Sequence, residues 1–224
     1  MRKKLSPRFS ITKAHKMQKR LSKKLIFEDT LPDKISYVAG VDVSYHNGKS
    51  IGAVAVLDYK SLHVVETKVA HVKTRIPYVP TLLSFREIPP AYSAIRKLEI
   101  KPDVFMVDGQ GFAHPYGLGF ASHLGLLLGR PTVGVAKSHL YGKFESAGEH
   151  RQVELLKEKG NVVGAEVITG QGTKPVYVSV GHKVSLERAV KIVLDCAVKY
   201  RLPEPIRSAH RLATDEKKKL QNAL

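Results

Sequence analysis

Tyr37-Val38-Ala39-Gly40-Val41-Asp42-Val43-Ser44-Tyr45-His46-Asn47-Gly48 is the stretch on which the reading of this chain turns. Its valine-rich first part, Tyr37–Tyr45, reads as a strand, and Asn47-Gly48 is a strong hairpin signal because both residues accept positive φ. Ile51–Leu57 answers as the second strand. Asp58-Tyr59-Lys60-Ser61 turns the chain again, and Leu62–Val72 reads as a third strand. Three strands joined by tight turns make an antiparallel meander.

Downstream the hydrophobic pattern changes. Pro89-Pro90 followed by Tyr92, Ile95 and Leu98 predicts a helix with proline in its first turn. Val104–Val107 and Pro131–Val135 are short apolar runs, as strands buried on both faces require. Gly117–Leu128 between them reads as a small apolar helix. Val162–Ile168 and Pro175–Val180 predict a hairpin around Gly170-Gln171-Gly172, and Ser185–Tyr200 an amphipathic helix with Ser185 as N-cap. A meander followed by alternating helices and strands is the plan of a ribonuclease-H-like α/β fold. That plan is a mixed five-stranded sheet with helices on both faces. No repeat or long linker interrupts it, so one domain is expected over 1–224. A basic N-terminal helix at about 11–25 should carry an apolar stripe of Ala14, Met17, Leu21 and Leu25. The core of the domain should run from about 36 to 200, and a basic C-terminal helix over about 204–220 should close the chain.

The 37 Lys and Arg exceed the 20 Asp and Glu, giving a net charge of +17. An excess of that size attracts polyanions, of which nucleic acid is the commonest. A solubility surface is the competing explanation, disfavoured because no acidic network balances the cations. The single cysteine, Cys196, excludes an internal disulfide and Cys-rich zinc motifs. No apolar run follows Met1-Arg2-Lys3-Lys4, and none approaches a membrane span, so a soluble cytoplasmic protein is expected.

Three carboxylates have neighbours that do not suit surface acids. Asp42 interrupts a strand built for burial. Asp108 ends the apolar run Val104-Phe105-Met106-Val107, at the strand edge where sites of α/β sheets gather. Glu87 lies at the entrance to the proline-started helix. Unpaired acids in such places are costly unless they meet a cation. Mg²⁺ prefers oxygen ligands and Mn²⁺ can substitute for it, and either can activate water against a phosphodiester. Asp108 before glycine also suits a plain turn, whereas Asp42 has no such ordinary role.

Gly109, Gly111 and Gly117 with His114 form a glycine-rich loop after Asp108, suited to close approach by a phosphate. His114 is a candidate for holding that phosphate or positioning water, although loop histidines are more often structural. Lys137, just beyond a buried strand, would place an ammonium against the scissile phosphate. Pro77-Tyr78-Val79-Pro80 presents an aromatic ring on stiff backbone, the shape of a wedge that fills a base stack when a base is withdrawn. A rigid turn with Tyr78 packed inward is its plainer reading.

Taken together, these blocks resemble the endonuclease V family. The resemblance is carried by Gly40-Val41-Asp42-Val43-Ser44-Tyr45, by Pro77-Tyr78-Val79-Pro80 through Phe85-Arg86-Glu87, by Val107-Asp108-Gly109-Gln110-Gly111 with His114-Pro115, and by Gly134-Val135-Ala136-Lys137-Ser138. It implies a Mg²⁺-dependent cut one nucleotide to the 3′ side of deaminated adenine in DNA, leaving 3′-OH and 5′-phosphate, with inosine-containing RNA as a second expected substrate. By that likeness Asp42, Asp108 and Glu87 hold metal, and Lys137 contacts phosphate. Tyr78 is the wedge, His114 lies near the metal, and His210 completes the site. The flipped base is expected near Leu83, Gly109, Gly111, Ala136 and Leu140. Thr81 departs from the pattern, because glycine is expected after the wedge; a β-branched residue tolerates positive φ badly, so the loop is expected to sit differently. A monomer is the simplest expectation. Two alternatives stay open: another ribonuclease-H-like nuclease, such as a junction resolvase or an excision incision domain, and a non-catalytic nucleic-acid-binding module.

Overall fold

Asn47 and Gly48 have φ of 42° and 75°, so the hairpin closes through two left-handed residues as a type I′ turn requires. It joins β1 (Tyr37–His46) to β2 (Lys49–Asp58), and β3 (Val64–Lys73) completes the meander. The structure is a computed structural model describing residues 10–144 and 152–222; Met1-Arg2-Lys3-Lys4 lies outside the described residues. Next come α2 (Leu83–Ile95), β4 (Val104–Asp108), α3 (Phe120–Leu128) and β5 (Thr132–Ala136). They are followed by β6 (Lys143–Phe144), β7 (Val153–Glu158), β8 (Asn161–Val167) and β9 (Val176–His182). Helices α4 (Leu186–Cys196) and α5 (Glu204–Asn222) come last, and α1 (Ile11–Ser22) precedes everything.

The strands form one sheet in the order β3-β2-β1-β4-β5-β9-β8-β7-β6. The expected five-stranded core is the run β3-β2-β1-β4-β5, with β1, β4 and β5 parallel. Five strands is nevertheless too few. β9 pairs antiparallel with β5 and carries β8, β7 and β6 onward. The sequence conceals β7 because Val153–Glu158 buries Leu156 and leaves Leu155 exposed, so no apolar run marks it.

Both sheet faces are covered. Ala91, Ala94, Phe120, Ala121 and Leu124 of α2 and α3 pack on Val41, Val54 and Val107. Ile192, Val193, Cys196 and Ile206 of α4 and α5 pack on Val38, Met106 and Val135. Cys196 is a buried core thiol, pushed up to about 12 by burial.

Two helices depart from expectation. Helix α2 starts at Leu83, six residues before Pro89, so both prolines lie inside it. Lacking N–H groups, they leave the Phe85 and Arg86 carbonyls without their helical donors. The helix persists because tertiary packing outweighs that loss. A Cβ on Gly52 of β2 would stand 2.1 Å from the Pro90 carbonyl oxygen, so strand and helix touch there as bare backbone. In α1 the stripe is rotated, with Ala14 and Gln18 buried and Met17 41% exposed. Gln18 faces inward because its amide finds two carbonyls there.

Candidate active site

Parallel register builds the site. Val41 of β1 pairs with Val107 of β4, so the next residue of each strand, Asp42 and Asp108, stands beside the other where β4 ends and β1 runs on. Side chains alternate along a strand, and Val38, Val104 and Met106 face α5. Asp42 and Asp108 share that parity and face α5 as well. Asp108 is in register with Val135 of β5, which places Lys137 two residues further on the same side. Its ammonium lies 2.5 Å from Asp108 Oδ2.

Helix α5 supplies the next group. A Cβ on Gly40 would fall 1.8 Å from the Pro205 carbonyl oxygen, so the helix start rests directly on the strand. From there both elements advance together: five helical residues rise ~7.5 Å and two strand residues ~6.6 Å. This brings His210 over Asp42, with Nδ1 2.8 Å from Oδ2. The match continues one step on, where the Ser44 hydroxyl donates to the Ala213 carbonyl at 2.9 Å. One ligand atom from each of Asp42, Asp108 and His210 lies within 4.8 Å of the others. The His210 imidazole is held up from its ordinary value by its hydrogen bond to Asp42, against some desolvation.

Glu87 comes from the middle of α2 and is 7% exposed. The Tyr45 hydroxyl donates to its Oε1 at 3.3 Å, while its Oε2 is buried with no partner among the described residues. Burial pushes the Glu87 carboxyl well up, and the charges of Asp42 and Asp108 push it further. Asp108 is raised by burial and then by Asp42, with Lys137 acting in opposition. Acids crowded in this way, one with a buried oxygen unpartnered among the described residues, suit a cation. Asp42, Asp108 and His210 form a donor set that suits a divalent ion, and Glu87 stands outside that cluster but within reach of its charges.

The remaining expected residues lie around this group. Tyr78, the expected wedge, is 65% exposed. With Tyr45, His46, Lys49, Arg75 and Arg86 it lines a cleft of about 510 Å³ between the hairpin tip and the wedge loop. Thr81 takes φ of 68°, so threonine adopts the left-handed backbone expected of glycine there. Such a conformation costs on the order of 1 kcal/mol. Its hydroxyl pairs with His15 Nε2 at 2.9 Å.

His114 is 5% exposed and stands outside the three-residue cluster. Its Nδ1 accepts from the Tyr116 amide at 3.2 Å, and its ring faces the Thr81 carbonyl. Burial pushes it down to about 4, so it is a neutral support of the wedge loop. Of the residues expected around the base, Leu140 is 49% exposed, Leu83 opens α2, and Ala136 is buried at the end of β5. The Gly109 and Gly111 amides are occupied in this structure: Gly109 donates to the Val135 carbonyl at 3.0 Å and Gly111 to Ser179 Oγ at 2.9 Å. A Cβ on Gly111 would sit 2.3 Å from the Val180 carbonyl oxygen, so this glycine serves loop packing.

Sequence reasoning passed over Tyr45, Arg86, His15 and Gln18. Tyr45 stands inside the motif already quoted, and its odd position beside Val41 and Val43 was the available signal. The Arg86 guanidinium lies 3.8 Å from the Tyr45 ring centroid, clamping the phenol toward Glu87.

Comparison with known proteins gives this arrangement its context. The endonuclease V family model matches residues 19–211. An endonuclease V of Rippkaea orientalis is 45% identical over 210 residues, covering 92% of this chain and 91% of that protein. The crystal structure of endonuclease V from Streptomyces avermitilis superposes with a TM-score of 0.87 at 38% identity, covering 95% of each chain. Endonuclease V of Ciona intestinalis, in complex with a 24mer DNA containing an inosine followed by a ribo-adenosine, aligns with a TM-score of 0.85 at 33% identity. That alignment covers 94% of this chain and 98% of the other. A sheet and site of this form, matched along nearly the whole length, place the chain in the endonuclease V family of DNA repair endonucleases.

Proposed function

We propose that the chain binds DNA at deoxyinosine, turns the altered base out of the duplex, and hydrolyses the phosphodiester one nucleotide to its 3′ side. The products are a 3′-OH and a 5′-phosphate. The observation that carries this reading is the convergence of Asp42, Asp108 and His210, whose acids also push up the buried Glu87 carboxyl. In this proposal those residues hold Mg²⁺, for which Mn²⁺ substitutes. When bound, the ion neutralises phosphate charge and makes water a stronger nucleophile.

The protein's own groups do the rest. Lys137 places a positive charge at the substrate phosphate, and His210 fixes the Asp42 carboxylate through Nδ1. Tyr45 holds one Glu87 oxygen, and the second would be available to a cation or its water. Tyr78 fills the stack left by the withdrawn base, which is expected to settle near Leu83, Gly109, Gly111, Ala136 and Leu140. Deamination replaces adenine's amine donor with a carbonyl acceptor, a change that backbone groups can read once the base is outside the helix. Inosine-containing RNA presents the same base and is a second substrate in this proposal. The unit acts as a cytoplasmic monomer spanning 1–224. Among the described residues, no helix is long and apolar enough to cross a membrane.

The test is cleavage of two duplexes that differ by one inosine, each with Mg²⁺ and with chelator. Nicking confined to the inosine strand and dependent on Mg²⁺ supports the proposal. Equal cutting of both duplexes would point instead to a general ribonuclease-H-like nuclease, and salt-sensitive binding without nicking to a non-catalytic module.

A further inference from the structure

Tyr78 projects from a short loop and is 65% exposed, so whatever aims the wedge must act at the loop's base. The backbone there is strained at Thr81, the last residue before Leu82 turns inward at 1% exposure. A left-handed threonine persists only where surrounding groups over-determine it. Here three groups converge on one residue. His15 Nε2 pairs with the Thr81 hydroxyl at 2.9 Å, Gln18 Nε2 donates to its carbonyl at 2.8 Å, and the His114 ring faces the same carbonyl. Gln18 is completely buried, and the same amide nitrogen donates to the Leu118 carbonyl at 3.1 Å, tying the wedge loop to the segment that follows the Asp108 loop. His15 is itself fixed, stacked on Tyr116 with ring centroids 4.0 Å apart and planes 12° apart.

We infer that Thr81, clamped by His15 and Gln18 of α1, is a positioning residue that aims Tyr78 for work on duplex DNA. The inference rests on the proposed wedge role of Tyr78. Helix α1 then has a task beyond presenting lysines to solvent. It sets the loop leading into α2, and α2 carries Glu87 one turn further on. Wedge and acid are therefore joined by one short stretch of chain. The chemistry predicts where the clamp matters. Pulling a base from a duplex costs stacking that the wedge must replace, whereas an inosine in a single strand has little stacking to replace. Loosening the clamp should slow duplex cleavage and spare single-strand cleavage.

The experiment measures single-turnover cleavage of inosine-containing duplex and single-stranded DNA by Thr81→Gly, Thr81→Ser, His15→Ala and the Thr81→Gly/His15→Ala pair. Glycine accepts positive φ without strain, so Thr81→Gly should fold as the parent does while losing the hydroxyl that His15 holds. The expected result is a duplex rate roughly tenfold lower for Thr81→Gly and for His15→Ala, with KM nearly constant. Single-strand rates should stay within about twofold, Thr81→Ser should keep most duplex activity, and the pair should be no worse than either single change. Equal loss on both substrates, or full duplex activity in Thr81→Gly, overturns the clamp while leaving the endonuclease reading intact. A parent protein that cuts neither inosine substrate overturns both.

Discussion

The two working corners of the molecule are built in opposite ways. The carboxylate corner rises from regular parallel strands, whose register alone sets Asp42 beside Asp108. The wedge corner rests on irregular backbone, with Thr81 left-handed and the buried His114 beside it. One corner concentrates like charge, and burial with mutual repulsion raises Glu87 and Asp108. The other is stitched with neutral hydrogen bonds, and burial lowers His114 and His123 to about 4. Where charge is crowded, the side chains suit a cation; where histidines are kept neutral, they hold a shape.

The largest effect should come from taking one acid out of the crowded corner. Asp108→Asn keeps the shape of the side chain and removes its charge, so inosine-dependent nicking should fall by about 10³-fold or more while binding to inosine duplex stays close to the parent's. Gel-shift and cleavage assays on one preparation check this. Equal loss of binding would mean that the strand-built corner serves recognition as well, erasing the contrast. Next in size is Gly40→Ala. Its added carbon would lie 1.8 Å from the Pro205 carbonyl oxygen, so α5 must lift. A cost of roughly 3 kcal/mol follows from overpacking against rigid backbone, with His210 drawn away from Asp42. Thermal unfolding and cleavage should both suffer. Unchanged unfolding would show that α5 does not bear on β1.

The same contrast governs what the sequence disclosed. Asp42 and Asp108 were legible because an acid inside an apolar strand has few ordinary explanations, and Lys137 because it follows a buried strand directly. Their adjacency was not legible, since register is a property of pairing. His210 was reachable only by resemblance, because α5 is delivered by a bare-backbone contact at Gly40 that no local pattern announces. Local rules failed most at the wedge. Pro89-Pro90 resembles a helix start, yet packing at Gly52 carries α2 back to Leu83. Gln18, among lysines, gave no hint of complete burial; its reason lies in two carbonyls roughly sixty-three and one hundred residues away in sequence. Thr81 was expected to reshape its loop, but the neighbours hold threonine in glycine's conformation.

Glu87→Gln sharpens the comparison from the stability side. Without metal, the Glu87 carboxyl is raised by burial and by its acidic neighbours, so the folded state holds its proton more tightly than the unfolded chain does. That contribution is fully present below the unfolded value near ~4.3 and is lost as pH rises through the higher folded value. At neutral pH the parent therefore carries a penalty that glutamine avoids. Glu87→Gln should be more stable in chelator by roughly 1–2 kcal/mol, gain less from added Mg²⁺, and cut more slowly. Melting curves at pH 5 and 8, with and without Mg²⁺, decide it: a variant less stable than the parent at pH 8 in chelator would show that the acid corner is not strained.

The smallest effect belongs to the wedge side and runs the other way with pH. His123 of α3 pairs through Nδ1 with Ser84 Oγ at 3.1 Å and meets Phe85 edge-on, at the start of the helix that follows the wedge. Burial lowers it to about 4, so the unfolded chain binds its proton first as pH falls. Its share of stability is present above the unfolded value near ~6.5 and drains away as pH drops toward the folded value, by about 1 kcal/mol between pH 6.5 and 5.5. His123→Gln, which keeps a group able to bond Ser84, should flatten that stretch of the stability–pH curve. Chemical denaturation at the two pH values provides the measurement. Parallel curves for parent and variant would mean that His123 titrates alike in both states, and that the wedge corner does not depend on neutral histidine as the structure indicates.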